Sequence, residues 1–290
     1  IVAMSSTYDS WHVALKLSKA LRQNKPETTI IHGGPHLDEV LEPWVKKRMP
    51  YLDPFDTDIG SLIDFAIGGD GEYVLRELAK DISSFGREET KRRALGEEYQ
   101  KLLGKGNIAF RINDTVHYVR FSNPMDLNQI PHVPRHLLPV SSMYDFDCFR
   151  DSDGARLETV TMISHRGCKN RCDFCSEGLP YQQRSLEHIM TEAKKLKSIG
   201  VKAIFFDDST NQDDEKHIQM FYELHKMGFE MGALARFDML QDFNHVAEMR
   251  KNGVTYIYAS IEQYDDAALD NMHKRIHTEQ IDRGLDNLVK

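Results

Sequence analysis

The chain has 290 residues, of which 37 are Lys or Arg and 45 are Asp or Glu, so its formal charge at pH 7 is -8. This acidic balance argues against a surface that grips nucleic acid or phospholipid by charge. Apolar residues make up 40% and charged residues 28% of the chain, which excludes a disordered or collagen-like protein. Because no run of about 18 apolar residues occurs, no membrane-spanning helix is predicted.

The amino-terminal part, residues 1–82, alternates short apolar runs with amphipathic helical patterns. This alternation predicts a parallel α/β layer. Three strands make a thin sheet, so we expect further elements of the layer upstream of Ile1. The strands are expected at residues 1–5, 29–32 and 65–67.

Two helices are predicted to accompany these strands. The first is capped by Asp9 or Ser10, and the second begins after Gly68-Gly69-Asp70-Gly71. Their apolar stripes are Val13, Leu17, Ala20 and Leu21 in the first helix, and Leu75, Leu78, Ala79 and Ile82 in the second.

Each predicted strand ends in a turn built from small residues. In doubly wound sheets such turns hold ligands, because Gly allows close backbone approach and helix N-termini attract anionic groups. The candidate ligand-binding turns are Ser5-Ser6-Thr7, Gly33-Gly34-Pro35 and Gly68-Gly69.

The middle of the chain separates two domains. Residues 83–105 are charged and helix-prone, which is typical of a solvated helical face. Residues 108–112 and 116–119 show a hairpin pattern, and four prolines between residues 124 and 139 indicate an extended linker. The predicted organisation is a first domain at 1–105, a hairpin and Pro-rich linker at 106–156, and a second domain at 157–290.

In the second domain a unit of strand, turn and helix recurs. The helices end near Gly200, Gly228 and Gly253, where Gly suits the left-handed conformation that follows a helix. Consecutive βα units predict a parallel sheet with a barrel-like curl. A closed barrel needs more strands, so we expect the fold to continue beyond Lys290. The expected strands are 159–164, 203–206, 231–235 and 256–261.

Three of the four cysteines lie in the segment Cys168-Lys169-Asn170-Arg171-Cys172-Asp173-Phe174-Cys175. This density is too local for a disulfide framework, so it favours a metal role in a reducing, cytoplasmic compartment. Thiolates in C-x3-C-x2-C spacing can ligate three irons of a cubane cluster and leave the fourth open to a small molecule. Zinc, with Cys148 or His165 as fourth ligand, and inert thiols are the alternatives.

The cysteine segment resembles the hallmark of the radical S-adenosylmethionine (SAM) superfamily, and the resemblance extends from about Leu157 to the end. It implies a partial (βα)6 barrel in which Cys168, Cys172 and Cys175 bind a [4Fe-4S] cluster. In that family the amino and carboxyl groups of SAM chelate the open iron, and the reduced cluster cleaves SAM to methionine and a 5′-deoxyadenosyl radical.

Four further residues match segments of this family that contact SAM. The resemblance places Phe174 against adenine, with an apolar plug over the cluster as the alternative. It places Asp208 near the SAM amino group, and strand alternation puts Asp208 on the same face as Phe206. Arg236 is expected to meet the SAM carboxylate or to form a surface ion pair, and Glu262 is expected to contact SAM.

Two segments near Glu262 also bear on this resemblance. Gln263-Tyr264 stands where the family more often has Ser-Gly, so the local turn departs from the family pattern. Met272-His273-Lys274-Arg275 follows the family pattern of a helix ending in Met-x-Lys, for which a structural role is expected.

The amino-terminal segment resembles the carboxyl-terminal half of the flavodoxin- or Rossmann-like cobalamin-binding domain that precedes many radical SAM barrels. The resemblance rests on Gly33-Gly34-Pro35-His36, Gly69-Asp70-Gly71-Glu72 and Asp126-Leu127-Asn128-Gln129-Ile130-Pro131, in this order. No D-x-H-x-x-G motif, which supplies an axial histidine in other cobalamin proteins, is visible. The cobalamin contacts that the resemblance implies are Ser5, Thr7, Gly33, Gly34 and Gly69.

Together these resemblances predict a cobalamin-dependent radical SAM enzyme, most simply a methyltransferase acting on an unactivated carbon of a small-molecule substrate. Such an enzyme needs an electron donor such as flavodoxin or ferredoxin, and neither nucleic acid nor a membrane is expected as a partner. A radical cyclase or rearrangement enzyme without methyl transfer is the alternative within the family. A non-catalytic binding module that holds a cluster or zinc is the alternative of another class.

Overall fold

The structure is a computed structural model that describes residues 1–34, 37, 59–97, 107–113, 115–119, 126–137, 148–175, 181–210 and 215–290. It divides into two compact units, Ile1–Met125 and Asp126–Lys290. None of the described helices is both long and apolar enough to cross a membrane. Pro35 and His36, which contribute to the cobalamin resemblance, lie outside the described residues.

The first unit is built on a five-stranded sheet in the order β1-β2-β3-β4-β5. Strands β1, β2 and β3 are parallel, and β4 and β5 continue the sheet as an antiparallel hairpin. The strands are β1 Val2–Ser5, β2 Ile30–Gly33, β3 Phe65–Gly68, β4 Asn107–Ile112 and β5 Thr115–Val119, and the helices are α1 Tyr8–Asn24, α2 Ile59–Leu62, α3 Glu72–Phe85 and α4 Arg87–Arg93.

The predicted hairpin therefore forms, but it belongs to the first sheet and not to a linker. Strand β4 pairs with β3 along its length, from Phe65 opposite Phe110 to Gly68 opposite Asn107. Ile108, Ala109 and Phe110 are buried there, because a central strand of a covered sheet is apolar on both faces. The structural division after residue 125 thus lies later than the expected boundary at residue 105.

Helix α1 differs from its prediction in both its start and its buried face. The helix begins at Tyr8 after Thr7, and the Ser10 hydroxyl accepts a hydrogen bond from the Thr7 backbone N–H at 2.9 Å. Val13 and Leu17 of the expected stripe are 55% and 48% exposed. The helix instead buries the face with its largest apolar side chain, which removes more apolar area from water. That face consists of Trp11, Ala14, Leu15 and Ser18.

The second unit contains a four-stranded parallel sheet in the order β11-β10-β9-β6 and a short antiparallel pair, β7 with β8. The strands are β6 Thr159–Met162, β7 His165–Arg166, β8 Gln182–Gln183, β9 Ala203–Phe206, β10 Glu230–Ala235 and β11 Val254–Ala259. The helices are α5 Leu186–Ser198, α6 Glu215–Lys226, α7 Phe237–Leu240, α8 Phe243–Lys251, α9 Asp266–Asn271 and α10 Thr278–Val289.

The two faces of this sheet carry different cores. On one face, Val160, Ile204, Phe206 and Met231 pack with the apolar stripes of α5 and α6. On the other face, Ala203 and Phe205 pack with Phe149, which precedes the first strand of this sheet. Gly200, Gly228 and Gly253 have φ angles of 92°, 82° and 85°, so the helix ends adopt the left-handed conformation that the sequence predicts.

Candidate active site

The three clustered cysteines lie on a loop, residues 167–175, that follows β7; we call it the cysteine loop. The loop starts at Gly167, whose φ of 76° is accessible to Gly at low cost. Its far end is held where the Asp173 N–H donates to the Met272 carbonyl at 3.0 Å. None of the cysteines is in a disulfide, and Cys175 is exposed while Cys168 and Cys172 are half-buried. The loop thus presents three thiols that are not bound in disulfides.

The spacing of the sulfur atoms bears on which metal they can hold. Among the described residues, which include all three cysteines, the Sγ atoms do not all lie within 4.8 Å of one another. A single tetrahedral zinc with Zn–S bonds of about 2.3 Å would hold them about 3.8 Å apart. Thiolates that ligate different irons of a cubane are spaced more widely. In the described structure, the three sulfur atoms are therefore too far apart for one tetrahedral zinc ion to bind all of them.

Hydrogen-bond donors surround two of the sulfur atoms. Asn170 points its backbone N–H and its side-chain amide at Cys168 Sγ, at 3.4 and 3.6 Å. Arg236 Nη1 lies 3.8 Å from Cys172 Sγ. Hydrogen bonds to the sulfur atoms of ligating cysteines tune the cluster that those cysteines hold.

The cysteine loop forms one wall of a cavity of about 320 Å³. The opposite wall comes from the carboxyl ends of β9, β10 and β11 and the turns after them, which is where parallel barrels place their ligands. The lining residues are Cys168, Asn170, Arg171, Cys172, Asp173, Phe174, Cys175, Ser209, Thr210, Leu234, Ala235, Arg236, Tyr258, Ser260, Glu262 and Lys274.

Arg236 lies directly after β10 and is held from two sides. Its Nε donates to both oxygens of Asp238 at 3.2 Å, and its Nη2 donates to the Lys274 carbonyl at 2.6 Å. The side chain is only 12% exposed. Arg236 thus forms the ion pair that was one expectation, and it also lines the cavity as the other expectation requires. Its Nη1 remains directed at Cys172.

Lys274 and Glu262 form a second charged pair at the cavity. Lys274 Nζ donates to the Ser260 carbonyl at 2.8 Å and to Glu262 Oε1 at 3.2 Å. The Lys274 side chain is buried, whereas Glu262 is about one-third exposed. The Phe174 ring lies 5.8 Å from Lys274 Nζ. Lys274, expected from the sequence to be structural, therefore carries its charge into the candidate site.

Backbone strain is concentrated around this second pair. Glu262, His273 and Arg275 have φ angles of 64°, 50° and 57°, so each adopts the left-handed conformation that non-glycine residues rarely occupy. Each such residue costs on the order of 1 kcal/mol or more, and such residues cluster at ligand sites. The strain places the Glu262 carboxylate and the segment after Met272 against the cavity.

Asp208 does not reach this cavity. The alternation argument put Asp208 on the face of Phe206, and Phe206 packs into the core under α5 and α6. The carboxylate is fully buried, and burial raises its pKa to about 6 against the opposing hydrogen bonds from Ser164 and His165. The expected contact between Asp208 and SAM is therefore not supported by its position.

Sequence reasoning missed several cavity residues that it could have found. Ser209 and Thr210 follow Asp208 on the turn after β9, where the chain leaves the core. Tyr258 and Ser260 are separated by one residue at the end of β11, so strand alternation places them on one face. Polar side chains at the carboxyl end of a barrel strand are the pattern that identifies them.

The glycine turns of the first unit lie at the carboxyl ends of its parallel strands. Gly34 has a φ of 103°, and a Cβ there would come within 2.6 Å of the Ser6 backbone and 2.7 Å of Ser5 Oγ. Gly69 has a φ of 69°. The structure thus brings Ser5 and Gly34 together. Ser6 Oγ is buried there without a hydrogen-bond partner among the described residues.

The sequence of the second unit matches a known family model. The model of the radical SAM superfamily matches residues 162–290. This match confirms the resemblance to the radical SAM superfamily that the cysteine spacing predicted for this part of the chain.

Similar proteins match nearly the whole chain, which is more than the family model matches. The uncharacterized methyltransferase PH0819 of Pyrococcus horikoshii is 26% identical over 285 residues, which are 95% of this chain and 53% of that protein. The solved cobalamin-dependent SAM radical enzyme OxsB superimposes with a TM-score of 0.66 at 16% identity, covering 99% of this chain and 39% of OxsB.

A second solved structure agrees. The radical SAM methyltransferase TsrM from Kitasatospora setae, with cobalamin and a [4Fe-4S] cluster bound, superimposes with a TM-score of 0.61 at 15% identity, covering 96% of this chain and 52% of TsrM. These likenesses confirm the predicted fold class, an α/β layer followed by a radical SAM domain. The chain spans about half the length of PH0819 and TsrM and less of OxsB.

Proposed function

We propose that the protein is a cobalamin-dependent radical SAM enzyme that methylates an unactivated carbon of a small-molecule substrate. The observation that carries this proposal is the cavity at the carboxyl edge of the second sheet, which is lined by the three cysteines together with Arg236 and the Lys274–Glu262 pair. The names of PH0819 and TsrM support methyl transfer, and those of OxsB and TsrM support cobalamin.

Cys168, Cys172 and Cys175 would hold the [4Fe-4S] cluster, and SAM would occupy the cavity beside them. When bound, the cluster and SAM supply a 5′-deoxyadenosyl radical, and cobalamin supplies a carrier for the methyl group. Because the cluster draws electrons from outside, a one-electron donor such as flavodoxin or ferredoxin completes the proposed system.

The charged pairs suit the zwitterionic end of SAM. Arg236 offers a guanidinium for a carboxylate, a pairing that is both charge-assisted and geometrically specific. Glu262 offers a carboxylate for an ammonium group, and its partial exposure keeps one oxygen accessible. Each charge already has a protein partner, so the site is ordered before a ligand arrives, which lowers the entropic cost of binding. Phe174, 50% exposed, offers a face for adenine.

The cobalamin part of the proposal rests on the first unit. Ser5, Thr7 and Gly33–Gly34 lie at the carboxyl edge of parallel strands, which is where open α/β sheets bind ligands. The buried Ser6 hydroxyl, without a described partner, adds a polar group at this edge. Gly34 itself is explained by its contact with Ser6, so we assign it a structural part in shaping the turn.

The first test is cluster binding by cysteine variants of the complete protein after anaerobic reconstitution with iron and sulfide. We expect about four irons per chain in the parent protein and loss of most of the iron and sulfide in Cys172→Ala, since two thiolates do not secure a cubane. Cys148→Ala is the matched control, because Cys148 is an exposed cysteine outside the loop. Undiminished iron in Cys172→Ala, or one zinc in a colourless parent protein, contradicts the proposal.

The second test follows the methyl group. The reconstituted protein with hydroxocobalamin, a reductant and methyl-labelled SAM should form 5′-deoxyadenosine and transfer the label to its product. Deoxyadenosine without labelled product supports cyclisation or rearrangement instead. A cluster-loaded protein that cleaves no SAM supports a non-catalytic module.

A further inference from the structure

A fully buried cluster of polar groups connects the segment just before the cysteine loop to the segment just after β9. Asp208, just after β9, accepts hydrogen bonds from the Ser164 N–H at 2.7 Å and the His165 N–H at 3.1 Å. Its second oxygen accepts from the Ser164 hydroxyl at 2.5 Å. His165 Nδ1 lies 3.5 Å from the same oxygen. One carboxylate therefore binds three groups of two consecutive residues.

Those two residues are the stem of the cysteine loop. Ser164 and His165 follow β6, and only Arg166 and Gly167 separate His165 from Cys168. The stem is closed on its other side, where His165 pairs with Gln183 and the Arg184 N–H donates to the Ser164 carbonyl at 2.8 Å. Asp208 thus fixes the backbone a few residues before the first sulfur.

Donor and acceptor roles in the cluster follow from the Ser164 hydroxyl. Its single proton goes to the Asp208 carboxylate, which can only accept, so the facing ring nitrogens must donate to the hydroxyl oxygen. These are His165 Nδ1 at 3.2 Å and His217 Nε2 at 3.4 Å. Hydrogen bonding thus places a proton on His165 Nδ1 and on His217 Nε2.

The same three residues could in principle hold an ion, because the ligand atoms of His165, Asp208 and His217 lie within 4.8 Å of one another. The hydrogen bonds argue for a different role. The Ser164 hydroxyl oxygen lies within 3.4 Å of His165 Nδ1, Asp208 Oδ2 and His217 Nε2, so it already contacts one polar atom of each residue. The carboxylate, moreover, has its hydrogen bonds satisfied without a metal.

We propose that Asp208 is a positioning residue for the iron–sulfur cluster, acting through Ser164 and His165 to hold the cysteine loop. This inference rests on the proposed function, since it assumes that Cys168, Cys172 and Cys175 ligate the cluster. Removing the carboxylate leaves two buried N–H groups and the proton of the Ser164 hydroxyl without this acceptor, which frees the stem to move. A displaced stem carries Cys168 away from its place relative to Cys172 and Cys175.

The test compares variants of the complete protein after anaerobic reconstitution. In Asp208→Ala we expect the cluster to be lost to an iron chelator about 10-fold faster than in the parent, the lower end of the range for residues that support metal ligands. The EPR spectrum of the remaining reduced cluster, and its change on adding SAM, should also be altered. Asp208→Asn keeps one acceptor for the two backbone N–H groups and should restore most of both properties.

Asn287→Ala is the matched control for a general loss of stability. Asn287 is buried in the same unit and donates to the carbonyls of Leu240 and Gln241 at 3.0 and 2.9 Å, so its loss also removes two hydrogen bonds to the backbone, one of them buried. We expect it to keep the parent chelator rate and EPR spectrum. If Asp208→Ala does not fold, Ser164→Ala, which keeps the backbone bonds, should show the same change to a smaller degree.

The outcomes separate the inference from the proposed function. A parent protein that binds no cluster overturns the proposed function. A parent that binds the cluster, with Asp208→Ala unchanged in chelator rate and EPR spectrum, overturns the inference alone. Equal changes in Asn287→Ala overturn it as well. So does one zinc per chain that Asp208→Ala loses, because the buried cluster would then be a metal site.

Discussion

Arg236 and Lys274 bring two positive charges to the wall of the cavity that faces the three thiols. Each is balanced by a carboxylate, Asp238 or Glu262, at 3.2 Å. A site with one paired cation near a sulfur and one partly exposed carboxylate is well matched to a zwitterion. A ligand that carries charge of only one sign suits this site less well, because either the two cations or the two carboxylates would repel it.

The two neighbouring glycines at the end of β2, Gly33 and Gly34, should respond differently to an added methyl group. In Gly34→Ala the Cβ would lie 2.6 Å from the Ser6 backbone at a φ of 103°, so overpacking of about 1–3 kcal/mol adds to the conformational cost. In Gly33→Ala the Cβ meets the Ile67 carbonyl at an ordinary 3.5 Å. We expect urea unfolding without cobalamin to show a large loss of stability only for Gly34→Ala; equal losses would contradict this account.

At the scale of residues, the sequence predicted the features that depend on spacing along the chain. It did not predict the features that depend on the direction in which a side chain points. The C-x3-C-x2-C spacing places three thiols on one loop whatever the surrounding fold. Asp208 shows the limit, because alternation relates it to Phe206 but does not say whether that face meets the cavity or the helices. Lys274 shows a second limit. Its pairing with Glu262 at the cavity depends on the strained backbone at Glu262, which the local sequence does not predict.

At the scale of elements, strand β10 depends on a glycine in its middle. A Cβ at Gly232 would lie 2.7 Å from Phe149 Cζ and 2.8 Å from Phe205 Cδ2. The pairing of β10 with β11 is irregular at Met231 and Gly232, as is common where a backbone approaches another group closely. Phe149 thus packs on the sheet face because Gly232 leaves room.

This packing predicts coupled effects on the free energy of unfolding of the second unit. Gly232→Ala should cost about 1–3 kcal/mol by overpacking, and Phe149→Ala about 3–5 kcal/mol by leaving a cavity. In the double variant the new methyl group occupies part of that cavity, so the combined cost should be smaller than the sum by about 1 kcal/mol. Urea unfolding followed by circular dichroism measures all three, and strict additivity would show that the two sites are independent.

Elements were predictable wherever a local pattern decides them. Strand β9 and the helix ends at Gly200, Gly228 and Gly253 follow from apolar runs and terminal glycines. Helix α1 has apolar residues on two sides, so its pattern alone did not identify the buried side. The hairpin was predictable as a hairpin, but its pairing with β3 is a long-range contact that no local pattern specifies.

At the scale of the whole molecule, the two units contain buried titratable groups with opposite effects on stability. Burial lowers the pKa of His32 in the first unit to about 4, whereas burial raises the pKa of Asp208 in the second unit to about 6. Between pH 4 and 6 the folded first unit binds fewer protons at His32 than the unfolded chain does, and the folded second unit binds more at Asp208. Lower pH therefore weakens the first unit and strengthens the second through these groups.

A measurement that follows the first unit alone should show how His32 makes the stability of that unit depend on pH. Both tryptophans of the chain, Trp11 and Trp44, fall within Ile1–Met125, so tryptophan fluorescence follows the unfolding of that unit. His32 is fully buried, and its ring nitrogen Nε2 is 2.8 Å from the Ser18 hydroxyl. Protonation adds a charge that this apolar environment does not solvate.

We expect the fluorescence-detected free energy of unfolding to fall as the pH decreases from 6.5 to 4. The loss due to His32 should approach about 3 kcal/mol, because each unit of pKa shift is worth about 1.4 kcal/mol. His32→Gln does not titrate and should flatten the dependence in this window, while the parent and variant should differ least in slope above pH 7. A fluorescence-detected stability with the same pH slope in both proteins would show that His32 does not contribute, and the acid sensitivity of the first unit would then have to arise from its other titratable groups.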